Sequence, residues 1–296
     1  MTRTHPDFVI AGAAKAGTTA LYTYLQQHPD LYFSPIKEPH FFSSDIQPVH
    51  FRPEFYKNTV PDLTGYFSND PLPERFQAFI RDPAAYQALF REASAQQLTG
   101  EASTTYLYST VAASNLQAYR PDAKVILILR NPVERAYSHY LMALKFGFTD
   151  QSFQQALRAD KQRHPKGWGQ SELFLELGCY AAQVQRFLRH FPRQQVFIAF
   201  YENLKDQPQL LLTQITDFLG VAAHPFDLRH QPNEGAVPRT PRLNRLLHKG
   251  GLRTGLGSLL PKSLKDKLKQ WYLKQPEPNA RSTPVVDRYL QLHYRR

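Results

Sequence analysis

The sequence has little cysteine and no long apolar run, and both shortages narrow the class of protein. Cys179 is the only cysteine in 296 residues, so no intrachain disulfide and no cysteine-based zinc site can form. No apolar run approaches the roughly 18 residues of a membrane-spanning helix, and residues 1–7 lack the cationic and then apolar pattern of a signal peptide. We therefore expect a soluble protein of a reducing compartment and predict a cytoplasmic location.

Internal repeats and low-complexity tracts are also absent, and the length and the 42% of hydrophobic residues indicate one sizeable core. The formal net charge is +11, which attracts anions such as nucleic acid, an anionic membrane surface or a polyanionic small molecule. Residues 241–274 hold nine lysine and arginine residues and one acid. We predict one domain over residues 1–240 and a basic, partly helical extension over residues 241–296 that packs on or next to it.

A short apolar run followed by a helical pattern occurs three times along the chain. Such runs are typical of strands buried on both faces of a parallel sheet. The alternation predicts an α/β fold, with a single P-loop-like domain whose mostly parallel central sheet is flanked by helices and binds its ligand beyond the carboxyl ends of the strands. The predicted strands are residues 8–11, 124–129 and 196–200, and the helices that follow them are residues 18–27, 132–144 and 208–218.

The first predicted strand ends in a glycine-rich loop that contains a lysine. The sequence is Gly12-x-x-Lys15-x-Gly17-Thr18-Thr19. A loop of this kind between a strand and a helix directs backbone N–H groups and the positive end of the helix dipole at an anion. A nucleotide kinase instead carries its lysine directly after the second glycine. The sequence therefore predicts a phosphate loop that is not a kinase loop.

Arg130 lies at the end of the second predicted strand, where phosphoryl transferases of this architecture hold a metal ion with an acid. A guanidinium repels a metal ion and binds a phosphate in bidentate fashion. We therefore predict an anionic nucleotide bound without a metal. A nucleotide-kinase-like phosphoryl transferase and a non-catalytic module that binds polyanions or membranes remain as alternatives.

The two strand exits together resemble motifs of the PAPS-dependent sulfotransferases, in particular their bacterial and heparan-type branch. Residues 15–19, Lys-Ala-Gly-Thr-Thr, resemble the family's 5′-phosphosulfate loop, and residues 129–138, Leu-Arg-Asn-Pro-Val-Glu-Arg-Ala-Tyr-Ser, resemble its 3′-phosphate segment. Shorter similarities at residues 100–103, 178–180 and 201–204 extend the resemblance along most of the chain. It implies an enzyme that moves the sulfuryl group of 3′-phosphoadenosine 5′-phosphosulfate (PAPS) to an acceptor by in-line displacement and releases 3′-phosphoadenosine 5′-phosphate (PAP).

The resemblance also implies a role for each matched residue of the donor site. Lys15 would contact the bridging and 5′-phosphate oxygens, and Arg130 and Ser138 would bind the 3′-phosphate. With Asn131 as the cap of the following helix, Ser138 lies two turns into it, roughly 10 Å from its start, so one ligand can touch both Arg130 and Ser138. The other residues implied in donor binding are Ala16, Gly17, Thr18, Thr19 and Arg239.

Residues 34–42 follow the first helix and resemble the heparan-type segment whose glutamate deprotonates the acceptor. Glu38 occupies that place. Sulfuryl transfer needs such a base near the acceptor and a positive charge near the leaving phosphate oxygen, and Lys15 suits the second role. His40 is the alternative base, because simpler sulfotransferases use a histidine, and Lys37 can assist. The structural alternatives are a surface acid at position 38 and a core histidine at position 40.

Two positions depart from the family pattern. Ala102 stands where heparan-type members often carry a lysine, and Glu234 stands where a lysine often precedes the glycine of the late loop. The first departure removes a contact to a charged substrate, so the acceptor is predicted only as a hydroxyl or amine of a carbohydrate, lipid or small metabolite. The basic extension suits either packing on the core or an anionic or membrane-associated acceptor. Nucleic acid is not expected as a partner.

Overall fold

The computed structural model describes residues 4–229, 237–238, 240–242, 244–245 and 273–274. The chain forms two compact units. The first comprises Met1–Phe51, Tyr56–Asn131 and Cys179–Pro232, and the second comprises Arg52–Phe55, Pro132–Gly178 and Asn233–Arg296. Most of the predicted extension lies outside the described residues, so the boundary at residue 240 stays a prediction.

Strands and helices alternate along most of the chain. The strands are β1 (Phe8–Ile10), β2 (Leu31–Phe33), β3 (Ile36–Glu38), β4 (Arg75–Gln77), β5 (Leu98–Ala102), β6 (Lys124–Leu129), β7 (Val196–Phe200), β8 (Val237–Pro238) and β9 (Leu273–Lys274). The α-helices are α1 (Thr18–Leu25), α2 (Pro53–Thr59), α3 (Pro83–Ala88), α4 (Thr105–Tyr108), α5 (Ala112–Tyr119), α6 (Pro132–Lys145), α7 (Phe153–Gln162), α8 (Tyr180–His190), α9 (Tyr201–Asp206) and α10 (Pro208–Leu219). Short 3₁₀ turns occur at Pro48–His50, Tyr66–Ser68, Glu176–Gly178 and Arg193–Gln195.

Five strands of the first unit form one parallel sheet in the order β2-β5-β1-β6-β7. The central strand β1 pairs with β5 on one side and with β6 on the other, and its three residues are buried. The ring of Phe8 lies over Gly100 of β5, where a Cβ atom would stand 2.2 Å from the ring, so this close pairing requires glycine. The sheet confirms the predicted α/β class.

Alternate residues of the central strands supply two apolar cores, one on each face of the sheet. Val9 and Leu127 pack with residues of α3, α5 and α8 in one core. Ile10 and Ile126 pack with residues of α1 and α10 in the other. Burial on both faces explains why β1 and β6 are continuous apolar runs rather than alternating ones.

The element boundaries follow the sequence signals closely. β6 and β7 span the predicted residues. The helix α10 ends at Leu219, one residue later than predicted, before Gly220, whose φ of +79° provides a left-handed stop. The helix α1 ends at Leu25, two residues earlier than predicted. The N–H groups of Gln27 and His28 bond to carbonyl oxygens three residues earlier in the chain, so the last turn tightens there.

Aromatic residues between positions 41 and 98 help to build the core of the first unit. The rings of Phe41 and Tyr86 stack with their centroids 4.0 Å apart. Phe42, Tyr86 and Phe90 are buried. Ile36 and Phe42, which lie on either side of Glu38 and His40 in the chain, belong to this core, so it anchors both ends of that segment.

The second unit is built around α6 and α7. Its apolar cluster includes Tyr137, Phe153 and Phe174, and α7 begins at a capping box formed by Ser152 and Gln155. The strands β8 and β9 pair antiparallel in this unit. No helix in the described part of the chain is both long enough and apolar enough to span a membrane.

One tertiary contact of the fold gives a direct stability test. Lys124, at the start of β6, donates from Nζ to the carbonyl oxygens of Phe218 and Leu219 at 2.8 Å each, and so caps the carboxyl end of α10. Replacing it by methionine keeps the apolar stem and removes the charge and both hydrogen bonds. We expect Lys124→Met to lower the free energy of unfolding by about 1–2 kcal/mol in urea titrations.

The matched control is Lys57→Met, because Lys57 is exposed on α2. It should change the free energy of unfolding by less than about 0.5 kcal/mol. Equal effects of the two substitutions would contradict the capping role of Lys124.

Candidate active site

The loop after β1 runs alongside β6 because backbone hydrogen bonds continue beyond the end of the strand. The N–H of Ala13 donates to the carbonyl oxygen of Ile128 at 2.7 Å, and the N–H of Ile128 donates to the carbonyl oxygen of Gly12 at 2.8 Å. On the other side, the N–H of Leu107 donates to the carbonyl oxygen of Ala11 at 2.7 Å. The loop is therefore held between the carboxyl ends of β5 and β6.

The backbone of this loop has the conformation of an anion cradle. Gly12, Lys15 and Gly17 have φ values of +133°, +67° and +91°, and a non-glycine residue such as Lys15 adopts a positive φ only uncommonly. Gly17 is the N-cap of α1 and has no side chain that could accept a hydrogen bond from the first turn. The amide groups of that turn need an acceptor, and the helix dipole makes an anion the favourable one.

Side chains of the loop divide into buried and accessible ones. Ala16 and Thr18 are buried, while Lys15 and Thr19 are partly exposed. Buried Ala16 packs in the apolar core beside α3 and α5, so it contributes through its backbone only. Lys15 and Thr19 are the members of the predicted set with side chains that a ligand can reach.

Arg130 lies directly against this loop. Its Nη1 donates to the carbonyl oxygen of Lys15 at 3.3 Å, and its guanidinium carbon stands 4.4 Å from the centroid of the Tyr201 ring. Tyr201 also packs on the loop, since a Cβ atom at Gly17 would stand 2.7 Å from its Cδ2. The structure thus brings together the two strand exits that the sequence singled out, with the Tyr201 ring packed against both.

Ser138 and Arg239 are not brought to this loop by any described contact. Ser138 is a partly exposed residue of α6 in the second unit, and Arg239 lies outside the described residues. Their donor-binding roles stay predictions. His139, the neighbour of Ser138, is buried with its ring 5.1 Å from that of Phe174, which is a packing position.

Glu38 is a buried strand residue rather than a surface loop acid. It closes β3 and is 6% exposed. Its Oε1 accepts a hydrogen bond from Nζ of Lys37 at 2.9 Å, and its Oε2 accepts one from the hydroxyl of Thr104 at 2.7 Å. A buried carboxylate is stable only with such partners.

Thr104 connects the candidate base to the phosphate loop. Its side chain holds Glu38, and its carbonyl oxygen lies 3.4 Å from where a Cβ atom of Gly12 would stand. Thr104 is the second residue after β5, the neighbour of β1 in the sheet. The candidate base and the loop therefore meet through one residue at the carboxyl edge of the sheet.

The electrostatics of this site favour an ionised Glu38 and a neutral His40. Burial acts to raise the pKa of Glu38, but the Lys37 ammonium and the Thr104 hydrogen bond outweigh it, and the pKa lies below its ordinary value. Burial lowers the pKa of His40 to about 4, against the pull of Glu38. At neutral pH the carboxylate can accept a proton, and the imidazole carries no charge.

His40 has the environment of a core histidine. It is 1% exposed, its Nδ1 lies 2.9 Å from the hydroxyl of Thr105, and its ring stacks on Phe79. Its Nε2 is 3.6 Å from Oε2 of Glu38, close enough for an electrostatic contact but long for a hydrogen bond. This geometry favours Glu38 over His40 as the base.

Sequence reasoning missed Thr104 and Tyr201 as site residues. Tyr201 directly follows β7, and Thr104 is the second residue after β5. Both strands end at the same edge of the parallel sheet as Gly12 and Arg130. Because parallel strands end at the same edge of a sheet, the prediction of β7 could have identified Tyr201 as a site residue. The same rule could not have identified Thr104, because β5 was not predicted as a strand.

Comparison with known proteins decides the family. The family model of the sulfotransferase domain matches residues 5–234. The chain belongs to the sulfotransferase family. Its members use PAPS as the sulfuryl donor. The match confirms the resemblance seen in the sequence and decides for this enzyme class over the kinase-like and non-catalytic alternatives.

This sulfotransferase is similar to proteins of bacteria and mammals. The crystal structure of a sulfotransferase from Alicyclobacillus acidocaldarius is 31% identical, covers 84% of this chain and 95% of that chain, and has a TM-score of 0.62. Heparan sulfate glucosamine 3-O-sulfotransferase 6 of Homo sapiens is 28% identical over 74% of this chain and 53% of its own length. The bifunctional heparan sulfate N-deacetylase/N-sulfotransferase 2 of Bos taurus is 29% identical over 73% of this chain and 22% of its own length. The chain thus spans about half or less of these curated relatives.

The loop geometry predicts that the sulfotransferase needs glycine at position 17. Alanine there would be strained at a φ of +91°, and its Cβ would stand 2.7 Å from Cδ2 of Tyr201. Only a small fraction of the protein would then hold the loop in the conformation that binds the nucleotide. The apparent affinity for PAP falls in proportion to that fraction. We expect Gly17→Ala to weaken PAP binding by about 10- to 100-fold in calorimetric titrations, as a strain of about 1–3 kcal/mol implies.

Gly65→Ala is the matched control. Gly65 also has a positive φ, of +69°, but no atom of the described residues lies within 4 Å of the added Cβ. It should leave PAP affinity unchanged. Wild-type affinity in Gly17→Ala would show that the loop does not hold the nucleotide.

Proposed function

We propose that this sulfotransferase moves the sulfuryl group of PAPS to a hydroxyl or amine of its acceptor by metal-free in-line displacement, with Glu38 as the base. The observation that carries the proposal is the contact of Arg130 with the carbonyl oxygen of Lys15. This contact places the cationic side chain of Arg130 beside the anion-binding loop at the start of α1. A nucleotide with anionic groups at both its 5′ and 3′ positions suits such a pair.

The 5′ side of the donor site is supported by the loop and the start of α1. The residues present fit a phosphosulfate, since Gly17 gives the loop a positive φ and, as the N-cap of α1, has no side chain to accept from the first-turn amides. PAPS supplies an electrophilic sulfuryl group on an anionic leaving group. Lys15 places an ammonium beside the loop, where it stabilises the negative charge that develops on the leaving phosphate oxygen.

The 3′ side of the donor site is supported by Arg130. The Tyr201 ring packs against its guanidinium, which restricts the side chain and leaves the planar fork of N–H donors defined in direction. An arginine binds a phosphate through two parallel hydrogen bonds, which a lysine cannot do. Arg130 therefore supplies the selectivity for a 3′-phosphate.

The acceptor proton is assigned to Glu38. An ionised carboxylate has about four acceptor positions, and Lys37 and Thr104 occupy positions on opposite oxygens. A position therefore remains for a substrate hydroxyl or amine. Lys37 and Thr104 fix the carboxylate, so little reorganisation is needed when the proton moves.

The chemical class of the acceptor is the open part of the proposal. Relatives named for heparan sulfate favour a carbohydrate, while Ala102 is fully buried and offers no charge to a sulfated chain. Transfer of labelled sulfuryl to heparan sulfate, to a sterol and to a simple phenol would separate carbohydrate, lipid and small-metabolite acceptors. The cytoplasmic location stays a prediction.

The assignment of the base predicts a selective loss of turnover. Glu38→Gln keeps the shape and the hydrogen bond to Thr104 but cannot take a proton. We expect kcat to fall by about 10²- to 10⁴-fold in that acceptor assay, run with a chelator present. PAP affinity should stay at the wild-type value, because Glu38 does not contact the nucleotide in this account.

Glu92→Gln is the control of identical chemistry. The side chain of Glu92 accepts a hydrogen bond from the N–H of Leu72, which glutamine can still accept, away from the strand exits. Its kcat should stay within twofold of the wild type. Unchanged kcat in Glu38→Gln would remove Glu38 as the base.

A further inference from the structure

A second buried carboxylate, Glu101, lies close enough to the candidate base Glu38 for their charges to interact. It belongs to β5 and has no exposed surface. Three hydroxyl groups donate to it: those of Tyr106 at 2.5 Å, Ser103 at 2.9 Å and Tyr86 at 3.3 Å. Neither the donor site nor the proton transfer described above uses this group.

Two of these hydroxyls also contact the backbone of the segment that carries the base. The N–H of His40 donates to Oγ of Ser103 at 3.0 Å, and the N–H of Phe42 donates to the hydroxyl oxygen of Tyr106 at 3.4 Å. A hydroxyl has one hydrogen. Because Ser103 and Tyr106 direct theirs at Glu101, only their lone pairs face the backbone N–H groups.

The backbone of this segment needs such support. His40 has a φ of +53°, a conformation that non-glycine residues adopt uncommonly and at a cost. Its carbonyl oxygen accepts hydrogen bonds from Nη1 of Arg81 at 2.6 Å and from the hydroxyl of Ser43 at 3.0 Å, whereas its N–H donates to Ser103. Loss of one of these partners would let the residues next to Glu38 relax away from this conformation.

We propose that Glu101 is a positioning residue that orients the hydroxyls of Ser103 and Tyr106 to clamp residues 38–42, and so sets the place of the base. The inference rests on the proposed role of Glu38. An ionised carboxylate is the side chain that only accepts hydrogen bonds, so it imposes the same direction on both hydroxyls. Glutamine would present an NH₂ group to one of them and leave that hydroxyl hydrogen without its acceptor.

The protonation state of Glu101 supports a pH dependence of this clamp. Burial raises the pKa of Glu101 to about 7, against the hydrogen bonds from Tyr106, Ser103 and Tyr86, and the charge of Glu38 raises it further. A protonated Glu101 carries its own O–H donor and can no longer accept from every hydroxyl. The clamp is therefore complete above about pH 7 and weakens as the pH falls through that value.

Hydrogen exchange by mass spectrometry tests the clamp without any acceptor. In Glu101→Gln, the exchange rate of the amides in residues 38–43 should rise about 10-fold, while amides of residues 12–20 stay unchanged. The protection factor of residues 38–43 in the wild type should increase as the pH rises through about 7, and this step should be absent in Glu101→Gln. In the acceptor assay, kcat should fall by about 10-fold or more at an unchanged KM for PAPS.

Tyr86→Phe is the matched control, because Tyr86 donates to the same carboxylate but has no hydrogen bond to residues 38–42 among the described contacts. Well above pH 7, where Glu101 is ionised in the wild type and in this variant, its exchange in residues 38–43 should stay within twofold of the wild type. Ser103→Ala provides a second test if Glu101→Gln does not fold, and it should raise exchange in the same peptide.

The outcomes separate this inference from the proposed function. Wild-type exchange and kcat in Glu101→Gln would overturn the clamp, as would an equal effect in Tyr86→Phe well above pH 7. Faster exchange in Glu101→Gln together with wild-type kcat in Glu38→Gln would keep the clamp and remove Glu38 as the base.

Discussion

Backbone hydrogen bonds between the loop after β1 and the end of β6 position the rest of the site. The backbone groups of Ala13 and Gly12 form hydrogen bonds with those of Ile128. These bonds hold the phosphate loop beside Arg130 independently of side-chain conformation. The parallel order of the strands then brings Thr104 and Tyr201 to the same edge. Glycine at positions 12 and 17 lets Leu107 and Tyr201 pack directly on the loop, since side chains there would collide with them.

Buried charge is the second constraint on the site. Glu38 and Lys37 are both nearly inaccessible, and such a pair is tolerated only when geometry and further hydrogen bonds compensate its loss of water. The same partners that stabilise the carboxylate also lower its pKa, so the base is ionised at neutral pH but weaker than a free glutamate. Function in this account depends on position more than on basicity, which is why the support from Ser103 and Tyr106 matters.

Much of the fold was predictable because the central strands are buried on both faces and therefore read as apolar runs. The meeting of Lys15 and Arg130 was predictable for the same reason, since parallel strand exits share an edge. The position of Glu38 in a strand was not. Its strand has three residues between two prolines, and its partner Thr104 is 66 residues away, so no local pattern connects them. The hydroxyls around Glu101 also contact distant residues, since Ser103 and Tyr106 bind the backbone N–H groups of His40 and Phe42, 63 and 64 residues away in the chain.

The central claim is that Arg130 and the Lys15 loop form one nucleotide site that recognises anionic groups at both the 5′ and 3′ positions. Calorimetric titration of the wild type and of Arg130→Met, in a chelator, with PAP, adenosine 5′-phosphate and ATP, tests it most directly. We predict that the wild type binds PAP more tightly than either other nucleotide, and that Arg130→Met loses about 10- to 100-fold in PAP affinity but little for adenosine 5′-phosphate. Equal losses for both ligands, or tighter binding of ATP than of PAP, would contradict the claim.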